Sequence, residues 1–373
     1  MSRAPKAAGP LSRAPKAAGP LSRAPKAAGP KASAAKVALF GIALSFSAAG
    51  CPCVDDTINS SPWLRWKIFA MFGAGRLCTE MNKRSAPLRL LDGAPVIGRF
   101  YPSACQSVTN DDRQTVTLQF SGDGYAFSPV TKRMSFASSA TIEYKPDFYK
   151  DGGTVYVWFR PVSAPAPSFQ IGMVEQALVG MATSMTPLGG LANLFGQQIV
   201  SSELGRGFTV IHESAGDDFS LGILKAGERP LHPYDARGKD RVTFLNETAE
   251  LHPNTLDFLG PFEIDRSGRM LFVHIRSSGA AIDTAVVSRA VGDAWRREYQ
   301  RRPQVPLPPS PPIVAGVIPA DTDADRSVAL PEGQYYVVVD NSPYVGQAAP
   351  PNRGPLFDVP VPVSYWVSMG DAP

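Results

Sequence analysis

The residues of this chain best suited to chemistry are four histidines, His212, His232, His252 and His274. Glu213, Asp217, Asp218, Asp235 and Asp283 fall in the same region. Imidazole and carboxylate together can hold a metal ion or pass a proton. The spacing favours neither use, because there is no H-E-x-x-H and no close His-x-His. His274 lies in the run LFVHIRS, where a histidine packed within a strand is the ordinary expectation. His232 and His252 each precede a proline, which biases both towards turns. A G-x-S-x-G nucleophile elbow is absent. Asp321–Asp325 (DTDAD) lacks the glycine and distal glutamate of an EF-hand loop. There is no phosphate-binding loop and no dinucleotide fingerprint. No catalytic residue, metal site or cofactor is therefore assigned. A hydrolase or metal-dependent enzyme using His212, His232 and His252 is the alternative.

The stretch Lys36–Cys51, KVALFGIALSFSAAGC, has a different chemistry. About a dozen apolar residues follow a basic leader, too few for a bilayer span of ~20 but suited to a signal-peptide core. Small residues, Ser47 to Gly50, lead directly to Cys51. Residues 31–51 resemble the lipobox of bacterial lipoproteins, with Ala48 standing where that family usually has leucine. The resemblance implies that Cys51 is acylated and becomes the new N-terminus. It implies a partner, the membrane, held through lipid (palmitate) on Cys51. The residue after the cysteine is Pro52 rather than Asp, which by the same resemblance implies an outer-membrane anchor with the body on the periplasmic face. An ordinary signal peptide cut near Ala49 is the other reading of these residues.

With Cys51 acylated, Cys53, Cys78 and Cys105 remain, enough for one intrachain disulfide. Cys78–Cys105 is the expected pair, and export makes it plausible. Cys51-Pro52-Cys53 is C-x-C, a poor redox motif.

Charge follows the same division. Eight Lys and Arg and no acid lie in residues 1–50, so the formal +4 of the chain becomes −4 once those eight are removed. The basic balance belongs to the leader and is no argument for nucleic-acid binding. Within the leader SRAPKAAGP occurs three times, at Ser2–Pro10, Ser12–Pro20 and Ser22–Pro30, and has too few apolar residues to bury a core.

The elements that must position the remaining residues are mostly strands. Ser61–Leu77 is the exception: Ser61 can cap a helix, Pro62 can open it, and Gly73 and Gly75 can end it. That helix is expected either to pack on the body or to lie at a membrane interface. Thr115–Phe120 alternates at period two, Gly122–Gly124 is expected to turn, and Arg133–Ala137 and Ala140–Tyr144 are expected to be two arms of a hairpin. Gly153–Arg160 reads as a longer strand and Pro161–Pro167 as a linker. Gln170–Leu204 reads as an apolar helical hairpin that covers a sheet edge or docks a membrane. Strands recur beyond Gly207, with a short helix near Asp293–Arg302 and an extended strap at Pro303–Pro312.

The expectation is a mainly β protein: two β-sandwich-like modules with a helical insertion between them. The divisions are 1–50 leader and signal, 51–92 membrane-proximal segment, 93–162 first module, 163–206 linker and insertion, and 207–373 second module. The expected role is non-enzymatic, as a tethered binding or assembly component with an envelope protein or glycan partner. Tyr156/Trp158 and Tyr365/Trp366 are the aromatic faces that could serve it. A membrane-docking or pore component using 170–204 is a further alternative.

Overall fold

The computed structural model describes residues 52–372, apart from 92, 129–130, 176–204, 214–215, 237–240, 344 and 349–357. Cys51, the repeat leader and most of the 170–204 segment therefore lie outside the described residues. The described chain is mainly β, in several antiparallel sheets.

Sheet one has eight strands: β1 (Ala86–Leu88), β2 (Gly98–Asn110), β3 (Thr115–Ser128), β4 (Lys132–Asp151), β5 (Thr154–Ser163), β6 (Ser168–Val174), β7 (Phe208–Glu213) and β8 (Gly216–Leu221). Their order is β1-β2-β3-β4-β5-β7-β8, and β6 pairs with β4. Alternation drives the long strands. Met134, Phe136, Ala140, Ile142, Tyr144 and Phe148 of β4 are buried in one core, while polar neighbours point away. The same core takes Val116, Leu118 and Phe120 from β3.

Three helices close that core: α1 (Pro52–Ser60), α2 (Pro62–Phe72) and α3 (Leu77–Met81). Ser61 caps α2 by accepting a hydrogen bond from the Leu64 N–H at 3.3 Å, and Gly73 ends it. Trp66 and Phe69 face the sheet, whereas Trp63, Met71 and Phe72 are exposed. Polar bonds fix α1 and α2 to the end of β4. Lys150 Nζ lies 2.6 Å from Asp55, and Arg65 Nε lies 2.6 Å from Asp147.

Sheets two and three follow. Sheet two contains β10 (Thr255–Ile264), β15 (Gly333–Asn341), β12 (Ile282–Ser288) and β13 (Val314–Ile318), in that order. Sheet three contains β14 (Thr322–Ala329), β11 (Arg269–Ser277), β16 (Val361–Asp371) and β9 (Val242–Leu251). Both contribute to one apolar core, with Leu259, Ile282 and Val339 from sheet two and Leu271, Val363 and Tyr365 from sheet three. A fourth helix, α4 (Arg289–Arg301), lies on the other side of sheet two. Its Trp295 and Tyr299 pack with Phe258, Tyr336, Tyr101 and Tyr125, so this cluster joins sheet two to β2 and β3 of sheet one. The Pro-rich segment after α4 is bonded along it, with Trp295 Nε1 donating to the Pro306 carbonyl at 2.7 Å.

Several local expectations are corrected. Gly122–Gly124 is not a turn but the middle of β3. A Cβ at Gly122 would overlap the Tyr101 carbonyl oxygen, so glycine serves close strand approach there. The two expected hairpin arms at 133–144 are one continuous strand, because β6 pairs alongside and binds the polar pair between them. Ser138 Oγ donates to the Ser168 carbonyl at 2.9 Å, and the Ser139 and Ser168 hydroxyls lie 2.7 Å apart. Residues 161–163 extend β5 and residues 171–174 belong to β6, so neither a linker nor a helix occupies them. Finally β7 and β8, expected with the second module, add to sheet one through β5.

Candidate ligand-binding cavity

At one end of the sheet-one core the facing elements stop meeting. A cavity of about 680 Å³ opens between β3, β4, β7 and β8 on one side and α3, the 222–233 loop and β9 on the other. That volume lies within the ~300–1,000 Å³ of small-molecule sites. The inner wall is apolar: Leu77, Leu118, Phe120, Tyr144, Phe208 and Val210. The mouth is also apolar, with Phe219, Ile223 and Leu231 lining the cavity and exposed to solvent. Leu231 is 90% exposed, an unusual position for a leucine beside a cavity.

The wall elements are held by covalent and ionic ties. Cys78 on α3 is disulfide-bonded to Cys105 on β2, which fastens the short helix across a 27-residue separation. Arg99 of β2 forms the floor. Its guanidinium binds Asp257 of β10 at 2.6 and 2.9 Å and Glu247 of β9 at 2.5 Å. Asp257 also accepts from the hydroxyls of Tyr125 at 2.8 Å and Tyr365 at 2.6 Å. Burial alone would raise the Asp257 carboxyl, but Arg99 and these donors hold it below the usual range. The network joins all three sheets.

On the mouth side His212 Nδ1 lies 2.5 Å from Asp217. This hydrogen bond outweighs burial and raises the imidazole's affinity for its proton. Asp218 is bound by Arg229 at 3.2 Å, and His232 Nε2 stands 3.6 Å away. Burial would raise the Asp218 carboxyl, yet His232 and Arg229 together bring it below its ordinary value. Arg229 also bonds Glu213. Glu80 faces the same space, 4.0 Å from Lys83, and burial raises its pKa against the pull of Lys83 and Arg84.

Arg84 is unlike these. It lines the cavity, and among the described residues no carboxylate lies within ion-pair distance of its guanidinium and no side-chain hydrogen bond forms. Asp217 and Glu80 act on it only at longer range, and burial, the largest influence, lowers its pKa.

The four histidines do not converge as one site. His212 and His232 flank the cavity through the adjacent Asp217 and Asp218. His252 is stacked on Phe127, with ring centroids 3.3 Å apart, and bonds Asp358 at 2.9 Å. His274 bonds Asp325 at 2.6 Å on sheet three. No group of three or more potential metal ligands occurs among the described residues. Tyr156, Trp158, Tyr365 and Trp366 are buried, and Trp158 Nε1 donates to the Leu224 carbonyl at 2.8 Å. Among the described residues, no helix is long and apolar enough to cross a membrane.

Sequence reasoning missed Arg84, Arg99, Arg229 and Glu80. Glu80, Arg84 and Arg229 sit in ordinary-looking polar stretches, Arg99 stands alone among apolar residues, and none belongs to a motif. No protein-family model and no curated protein sequence matches this chain.

Proposed function

We propose that this protein is a membrane-tethered envelope lipoprotein with a non-enzymatic binding role. Its anchor is the acylated Cys51, and its body lies on the periplasmic face of the outer membrane. The two sheets that share a core form a β-sandwich-like module. The single observation that carries the binding role is the apolar cavity, together with the pairing of three of its wall carboxylates. Asp217 is taken by His212, Asp218 by Arg229, and Glu247 by Arg99 and Arg89. Carboxylates bound in this way hold a wall in shape.

The tether is supported by position. Helix α1 begins at Pro52, one residue past Cys51, and is bonded to β4, so no loose linker separates an anchor from the body. Exposed Trp63, Met71 and Phe72 on α2 follow within about twenty residues and suit the edge of a bilayer.

Two measurements test this. Intact mass of the mature protein extracted from membranes is expected to begin at Cys51 and to carry acyl mass on it. A chain beginning elsewhere, or lacking that mass, sinks the tether. Screening for hydrolytic turnover is expected to give none that depends on His212 or His232. Turnover abolished by His232→Ala would replace the binding role with an enzymatic one.

A further inference from the structure

We infer that the cavity holds one long-chain fatty acid, its carboxylate on Arg84 and its tail against the sheet-one core. The inference deepens the binding role proposed above and rests on it. The tail is read from the wall. Leu118, Phe120, Phe208 and Val210 continue the buried core into the cavity, so a chain lying there replaces packing that the core itself does not complete. Each methylene moved from water to such a wall is favourable. The exposed Phe219, Ile223 and Leu231 extend the same surface to solvent and give a tail a continuous path inward.

The head is read from Arg84. The half-buried guanidinium lines a largely apolar space without a carboxylate partner, and a bidentate carboxylate is the group that best satisfies its paired N–H donors. Arg99 and Arg229 cannot serve in its place, because each already binds two carboxylates. One chain rather than two follows from the volume, which is that of a single drug-sized ligand.

The test uses the full chain carrying Cys51→Ser, so that no attached acyl group competes. Calorimetric titration with palmitate, hexadecanol and a lysophosphatidate separates the chemistries. Palmitate is expected to bind one to one at micromolar concentration, with hexadecanol at least tenfold weaker, and a lysophosphatidate that outbinds palmitate would overturn the carboxylate as the head. Arg84→Gln is expected to bring palmitate down to the hexadecanol level, and Arg84→Lys to recover part of the difference. Thermal unfolding of each variant, unchanged in midpoint, shows that the wall is intact. Equal affinity for palmitate and hexadecanol, or an unaltered palmitate affinity in Arg84→Gln, would overturn the assignment of the head. No uptake of any of the three would overturn the fatty-acid site itself. That failure is distinct from failure of the tether, which is read separately from the mass at Cys51.

Discussion

Two regions of this molecule are built from the same kinds of side chain and end differently. Between sheets two and three, Leu271, Val273, Val337, Val363 and Val367 meet from both sides, each buried to within 3% of full burial. Under one end of sheet one, Leu118, Phe120 and Val210 face about 680 Å³ of open volume. The difference lies in what stands opposite. Two regular sheets present matching rows of side chains about 10 Å apart, and the rows interdigitate. Sheet one is faced at this end by a five-residue helix, by the 222–233 loop carrying Pro230 and Pro233, and by β9 at the edge of sheet three. A short helix, a loop and a single edge strand do not lay down the matching apolar rows of a full sheet. The gap is kept open by ties at its edges, the disulfide of α3 and the arginine–carboxylate pairs, rather than by packing through its middle. A filled core and a cavity thus differ in the regularity of the partner, not in composition.

The comparison breaks first at the ties. Arg99→Ala would leave Asp257 and Glu247 buried without their cation, at a cost of about 3–5 kcal/mol. Denaturant unfolding measures it, and a loss below 1 kcal/mol would mean that packing alone joins the sheets. Next comes the disulfide. Replacing Cys78 and Cys105 together by Ser is expected to cost about 3.5 kcal/mol on the loop-entropy model for this separation. It should also make α3 amides exchange faster while those of β11 and β16 are unaffected. In the filled core Leu271→Ala is expected to cost about 3 kcal/mol, because the site is sealed and cannot collapse. At the cavity mouth Leu231→Ala should stay within about 0.5 kcal/mol of the parent, since that side chain is already in water. If the two leucine variants were equally costly, the contrast between the regions would fail.

A pH dependence sharpens the same contrast. Asp340 of β15 is buried beside Asp283, and burial, the main cause, raises its pKa to about 7 from 3.8. The folded protein therefore keeps a proton between about pH 4 and pH 7 that the unfolded chain has lost. Its stabilising contribution is complete below 3.8, falls as pH rises through that window, and is gone above about 7. Thermal melts should show stability declining from pH 5 to pH 8, and Asp340→Asn should flatten the decline and unfold later at pH 8. An unchanged slope in that variant would place the titration elsewhere.

Much of this was legible in residue order, and the illegible part has a common character. Period-two alternation marked the start of β3, because one face of that strand is buried. Ser61, Pro62 and Gly73 marked α2, because a cap, a fixed φ and a terminator are local requirements. Ser138 and Ser139 misled, since a polar pair reads as a turn when no neighbouring strand is known to receive it. The cavity was invisible for the same reason: Arg84, Arg99 and Glu247 are unremarkable until folding sets them in one wall.

Sequence by itself determined the basic leader and the apolar run before Cys51, the strand-rich pattern, and the alternation at the start of β3. Tertiary structure alone decided which strands pair, that β7 and β8 join sheet one, and that Arg99 meets Asp257 across 158 residues. Alternation specifies a face but not the partner that covers it. A cavity is a property of two surfaces that fail to meet, so it exists only once both have been placed.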